Sequence, residues 1–173
     1  GGVDRLKAPL GVTVSPDGAC VYVATRNKEP GPGSPGTVVS FSRNLLDGTL
    51  TFVGFVEDDA GGVDGIGSAV DVVVSPNSAH VYVAGQQDDA IAVFSQVGCA
   101  LTFIEAHVDG SGGVDGLRKP EKLAISADGL HVYAAARKTV GTNAVGTVAV
   151  FSRALSGALT FVEFEQDGVA GVD

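Results

Sequence analysis

Gly61-Gly62-Val63-Asp64 recurs as Gly112-Gly113-Val114-Asp115, opens the chain as Gly1-Gly2-Val3-Asp4, and closes it in shortened form as Gly171-Val172-Asp173. Between these markers the order of words is fixed. An apolar run closes on Val14-Ser15-Pro16-Asp17, Val74-Ser75-Pro76-Asn77 or Ile125-Ser126-Ala127-Asp128, and a Val-Tyr pair follows at Val21-Tyr22, Val81-Tyr82 and Val132-Tyr133. Next come Phe-Ser (Phe41-Ser42, Phe94-Ser95, Phe151-Ser152) and Leu-Thr-Phe ending at Phe52, Phe103 and Phe161. A repeat of roughly 50 to 60 residues that holds several short strands is the size of one β-propeller blade. The expected divisions are residues 1–60, 61–111 and 112–170 as three blades, with 171–173 beginning a further repeat.

Within each repeat four apolar segments of strand length alternate with turn formers, and we call them a, b, c and d. They are expected at 10–15, 20–25, 37–42 and 50–56, then 69–75, 80–85, 90–95 and 101–107, then 122–126, 131–136, 147–152 and 159–165. Segments a to c are apolar on both alternating sets, as sheets covered on both faces require. Segment d admits Glu105, His107, Glu163 and Glu165, which suits an outer strand facing water. The fold expected is therefore all-β: three four-stranded antiparallel repeats forming part of a propeller.

Spacing is constant inside a blade and variable in one connection. The last apolar residue of a precedes the Tyr of b by eight positions in every copy, whereas the b–c connection is short at Gln86 to Asp89 and longer at Asn27 to Gly36 and Lys138 to Gly146. Alternating strand direction puts the d–a markers and the b–c connections on one surface, the top. The a–b and c–d turns share the bottom.

Eleven basic against twenty acidic residues give a net charge of −9, a field that repels phosphate backbones, so nucleic acid is not an expected partner. No apolar stretch is long enough to span a bilayer as a helix. The sequence contains no Met, so the chain is expected to be a mature, excised or truncated piece of a longer one. Cys20 and Cys99 stand at non-equivalent points of different repeats, form no metal-ligand spacing, and are expected to be incidental.

Val14 to Gly18, His80 to Ala84, Val93 to Ser95 and Gly157 to Glu163 resemble the repeat words of the lactonase-like seven-bladed propellers and of bacterial surface proteins with Tyr-Val-Thr-Asn-type repeats. The resemblance covers nearly the whole chain. It implies a propeller fold, and an activity as a sugar-lactone hydrolase or cyclase for some members. No catalytic residue of that family maps onto this chain position by position, so catalytic residues are left unassigned.

Two constellations remain. Asp58 with Asp64, and Asp109 with Asp115, set carboxylates among glycines in the d–a connections, where they could collect a hard cation such as Ca²⁺. The competing structural reading is that each Asp caps a turn. Arg26, Lys28, Arg137 and Lys138 form a basic group on the same surface, suited to a carboxylate or sugar acid, with scattered counter-charges as the ordinary alternative. The repeated Ser15, Ser75 and Ser126 read as turn residues, because a nucleophile is not needed once per structural unit.

Three blades leave two apolar faces open, and water does not favour bare sheets. The expected partners are further blades, from a longer parent chain or from a second copy. The function expected is a non-catalytic binding or scaffolding module, extracellular or periplasmic, presenting top loops to a protein, glycan or small ligand. The alternative is part of a lactonase-like enzyme.

Overall fold

The computed structural model describes residues 5–26, 35–140 and 143–168. Its strands are β1 (Pro9–Val14), β2 (Cys20–Arg26), β3 (Gly36–Arg43), β4 (Leu50–Glu57), β5 (Ala69–Val74), β6 (His80–Gly85), β7 (Ala90–Val97), β8 (Ala100–Val108), β9 (Pro120–Ile125), β10 (His131–Val140), β11 (Asn143–Arg153) and β12 (Leu159–Gln166). They form three separate four-stranded sheets, each an antiparallel meander in chain order. No helix occurs among the described residues, and none is long and apolar enough to cross a membrane.

The a–b turns follow from the Ser-Pro-Asp words. Ser15 Oγ accepts the Cys20 N–H at 2.9 Å, Ser75 Oγ the His80 N–H at 2.9 Å, and Ser126 Oγ the His131 N–H at 3.0 Å. These serines are turn residues. One expectation needs correction: residues 138–146 are not wholly loop, because β10 and β11 stay paired from His131↔Ser152 out to Val140↔Asn143. Val145, next to Thr147 and Val148, adds a β-branched residue that favours continuing the hairpin. The connection 27–34, including Lys28, and the terminal markers 1–4 and 171–173 lie outside the described residues.

The sheets stack as blades. The first strands of neighbouring sheets pack closely (β1 on β5, β5 on β9), while the fourth strands scarcely meet, so strand a is innermost and strand d outermost. One core lies between blades 1 and 2, built from Tyr22, Ala24 and Val38 against Val72, Val81 and Phe94, and closed from above by Val63 and Ile66 of the marker loop. The equivalent core between blades 2 and 3 uses Tyr82, Ala84 and Ile91 against Leu123, Val132 and Phe151 under Val114 and Leu117. The apolar residues of the marker are thus plugs that seal an interblade core.

At the bottom, Arg153 ends β11 of blade 3 and reaches into blade 2. Its Nε donates to Tyr82 Oη at 2.6 Å, its Nη2 to His80 Nδ1 at 3.0 Å and to Asn77 Oδ1 at 3.3 Å, and its Nη1 to Gly129 O at 3.1 Å. Tyr82 in turn donates to Gly157 O at 2.9 Å. Gly157 must be glycine: its φ is +91°, and a Cβ there would lie 2.1 Å from the His80 ring. Burial, with the Arg153 charge second, holds the His80 imidazole below its ordinary value, which leaves Nδ1 free to accept.

The same place between blades 1 and 2 is occupied by a disulfide. Cys20 aligns with His80 at the start of strand b and Cys99 with Gly157 in the c–d turn, and the two sulfurs are bonded with Cα atoms 5.5 Å apart. The expectation that both cysteines are incidental is therefore overturned. Gln96 stands where blade 3 has Arg153. It turns its amide to Ser78 O and the Cys99 N–H, so Tyr22 Oη is buried with no partner among the described residues.

The outward face of blade 3 is open, whereas that of blade 1 is open along β1 but buries Val21, Val39 and Phe41 on β2 and β3. Tyr133 is 36% and Val148 43% exposed, against 0% for their blade 2 counterparts Tyr82 and Ile91. At the other end Val12 is 71% exposed, against 2% for Val72 and 8% for Leu123.

Because the bridge closes a long loop across two blades, its loss raises the entropy of the unfolded chain. Replacing Cys20 and Cys99 by Ser is expected to cost about 2–4 kcal/mol, read as a lower urea midpoint. Added reductant should lower the parent protein to the same value and leave the double variant unmoved.

Candidate functional site

The top surface is assembled from backbone contacts between the d–a and b–c connections. Arg26 N donates to Ala8 O at 3.1 Å, Gln87 N to Gly67 O at 2.9 Å and Arg137 N to Arg118 O at 3.0 Å. Two groups of charged side chains stand on this frame, one over the blade 1–2 junction and one on the inner strands of blades 2 and 3.

Over the junction, Asp58 and Asp64 come from the d–a connection after β4, and Asp88 comes from the short b–c turn of blade 2. Ligand oxygens of the three lie within 4.8 Å of one another, close enough to hold a hard cation. Asp58 Oδ1 accepts the Ile66 N–H at 3.1 Å and Asp88 Oδ2 the Gly67 N–H at 2.6 Å. Burial raises the Asp58 carboxyl from the ordinary 3.8 to about 6, against the lowering effect of the Ile66 hydrogen bond, and the charges of Asp88, Asp59 and Asp64 add to the rise. Asp88 is raised too, again mainly by burial. The mutual repulsion is relieved by a shared proton or by a cation.

The sequence-predicted carboxylates separate in the fold. Asp58 and Asp64 meet, whereas Asp109 and Asp115 sit one blade further on, where Asp109 Oδ1 accepts the Leu117 N–H at 3.0 Å and Asp115 Oδ1 the Gly116 N–H at 2.8 Å. Asp109 repeats the turn-capping bond of Asp58 without an acidic b–c turn above it. Asp88 escaped the sequence reading because it belongs to a connection whose shortness marked it as a plain turn.

The basic candidates also divide. Arg26 gives Nη2 to Gln86 Oε1 at 2.7 Å, bridging blade 1 to blade 2, while its Nε is buried with no partner among the described residues. Arg137 and Lys138 are exposed at the inner top of blade 3, where Arg137 Nε lies 2.8 Å from Glu121 Oε1. Lys28 lies outside the described residues. Beside Arg137, and not anticipated, Lys122 on β9 sets Nζ 3.3 Å from Asp71 Oδ1 on β5, with its side chain 68% exposed. Lys122 and Asp71 occupy the same register position on adjacent innermost strands. That alignment is visible in the sequence once strand a is known to be inner.

Charge is distributed unevenly by height. Arg5, Lys7, Arg26, Arg118, Lys119, Arg137 and Lys138 cluster at the top ends of strands a and b, whereas Arg43 and Arg153 are the cations of the bottom among the described residues. The d–a and b–c connections put carboxylates on the same surface, Asp58, Asp64, Asp88, Asp109 and Asp115 among them, so cations and carboxylates are interleaved there.

No protein-family model matches the sequence, and no curated protein does. Solved structures do match. A protein of Bacteroides uniformis provisionally assigned as a 6-phosphogluconolactonase aligns at TM-score 0.68 and 18% identity, over 91% of this chain and 40% of that one. A protein of Bacteroides fragilis with the same provisional assignment aligns at 0.68 and 16%, over 95% and 43%. A protein of Lactobacillus plantarum aligns at 0.67 and 18%, over 90% and 41%. The chain has a lactonase-like β-propeller fold and spans about two fifths of the length of these structures.

Asp58→Asn keeps an acceptor for the Ile66 N–H and removes the charge. The folded protein holds the Asp58 proton up to about pH 6 and the unfolded chain only to 3.8, so this group's contribution to stability falls as pH rises through that window. The variant is expected to have a higher urea midpoint than the parent above pH 6 and a flatter profile below it.

Proposed function

We propose that this chain supplies part of a lactonase-like propeller that hydrolyses a sugar lactone at the inner top rim. The likeness to proteins provisionally assigned as 6-phosphogluconolactonases, along nine tenths of the chain, favours this reading over the non-catalytic scaffold, which it does not support. The observation that carries it is the pairing of exposed cations with carboxylates on the innermost strands, Lys122 with Asp71 and Arg137 with Glu121.

Lactone hydrolysis needs positive charge where the carbonyl oxygen becomes an oxyanion and a base to take a proton from water. Lys122 and Arg137 supply the first. A neighbouring carboxylate, Glu121 or Asp71, accepts the proton as water adds to the carbonyl carbon. The ring C–O bond then breaks, and the proton passes to the departing alkoxide, leaving the open sugar acid. A carboxylate or phosphate on the substrate suits the exposed Arg137 and Lys138. The disulfide supports an oxidising compartment, extracellular or periplasmic.

δ-Gluconolactone and its 6-phosphate are the direct probes. Acid release in mildly acidic, weakly buffered solution should exceed the spontaneous rate, and Lys122→Ala or Arg137→Ala should lower kcat/KM by roughly a hundredfold without shifting the urea midpoint. Absence of turnover in an assembly whose ring is demonstrably closed would overturn the enzyme reading. Retained turnover in both variants would overturn the site.

A further inference from the structure

Neighbouring blades are tied at the bottom in two different ways. Between blades 1 and 2 the tie is the covalent Cys20–Cys99 bridge, whereas between blades 2 and 3 the same positions hold the His80 imidazole and Gly157, clasped by Arg153. The first tie is indifferent to protons. The second depends on which nitrogen the His80 ring leaves bare. A guanidinium can only donate, so the Arg153 Nη2 contact at 3.0 Å requires an unprotonated Nδ1. The ring's hydrogen bond to the Ser156 carbonyl, which can only accept, then falls to Nε2–H. Both partners belong to blade 3, so one neutral tautomer fits the junction and the imidazolium does not.

Little water reaches the ring, since His80 is buried and the Gly157 backbone lies against it. Among the described residues no carboxylate contacts it. Arg153 on β11 is positive, Tyr82 on β6 is occupied with Gly157 O, and Asn77 of the a–b turn is neutral. Glu105 on β8 is engaged by the Leu159 N–H and by His107, and Asp128 of blade 3 by Ser126 and the Leu130 N–H. A proton on Nδ1 would therefore set two cationic donors face to face. That conflict is relieved by withdrawing Arg153, and blade 3 with it.

We infer that His80 is an acid-operated release for blade 3: its protonation opens the Arg153 fork and parts the blade 2–3 junction, while the disulfide keeps blades 1 and 2 joined. The folded junction favours the neutral ring, whose burial holds it below the ordinary 6.5. Its contribution is therefore complete above pH 6.5 and is lost as pH falls below that value. The effect reaches the top surface. Asp71 on β5 accepts the Leu123 N–H at 2.9 Å and Lys122 Nζ at 3.3 Å, both across the same junction, so parting the blades dissolves that pairing. The release itself does not rest on the lactonase reading; only its effect on turnover does.

Hydrogen exchange of the full chain, expressed as protection factors so that the intrinsic pH dependence cancels, reads the release strand by strand. Between pH 7 and pH 5, β10, β11 and β12 are expected to lose roughly tenfold in protection, while β2, β3, β6 and β7 keep theirs. His80→Gln offers an acceptor and a donor without taking up a proton, so it should flatten the blade 3 profile. The carboxylates that also cross this junction, Asp71, Asp89 and Glu105, are common to parent and variant and cancel in the comparison. Nitrogen-15 spectra of the parent imidazoles, which need no variant, are expected to show Nε2–H on His80 at pH 7 and a titration that accompanies the loss of protection. Unchanged blade 3 protection at pH 5, an equal loss in His80→Gln, or an Nδ1–H tautomer at pH 7 would each overturn the release. None of these readouts depends on lactone turnover, so the two readings fail separately.

Discussion

A guanidinium group buried at the junction of two sheets, with neutral acceptors around it, holds blade 3 against blade 2. Arg153 is 8% exposed, and each of its neighbours there is a phenol, an imidazole, an amide or a carbonyl. Burying such a charge is costly unless its donors are met. Here the cost is offset by a fork of hydrogen bonds that only one mutual placement of the blades permits. The apolar cores between blades provide the driving force, and the fork fixes the angle at which they meet.

Much of this was legible from spacing. Strand positions, the meander, the outer place of strand d and the shared top surface all follow from words at constant separation. The disulfide was not legible, because Cys20 and Cys99 occupy unlike positions of unlike repeats, and a comparison of equivalent positions finds nothing there. Their relation appears only when strand b of one blade is set beside the c–d turn of the next. The same reason hid Asp88: its neighbours Asp58 and Asp64 belong to another connection, and proximity comes from folding one turn over the other. The extended β10–β11 hairpin was missed because Thr139, Val140 and Asn143 sit among glycine and polar residues that read as loop.

The charge pattern separates two roles of polar residues in one fold. Asp109 and the repeated serines serve turns, blade after blade, and their chemistry is spent on backbone N–H groups. Lys122, Asp71 and Glu121 break the repeat, since blade 1 has Gly11 where the first two stand, its missing Cβ making room for the backbone at Asp71, and Leu10 where Glu121 stands. Departures from the repeat, rather than the repeat, mark the surface where chemistry has room to occur.

Covalent and non-covalent ties alternate along the stack, and this gives the molecule a mechanical polarity. A pull on the two ends of the chain would peel the third sheet by breaking hydrogen bonds, but the segment between Cys20 and Cys99 could not lengthen. With a sequence separation of 79 spanned by the bridge, roughly 280 Å of contour stays hidden from an applied force. Tension along the chain would therefore strip the third sheet while leaving the first two tethered and able to receive it again.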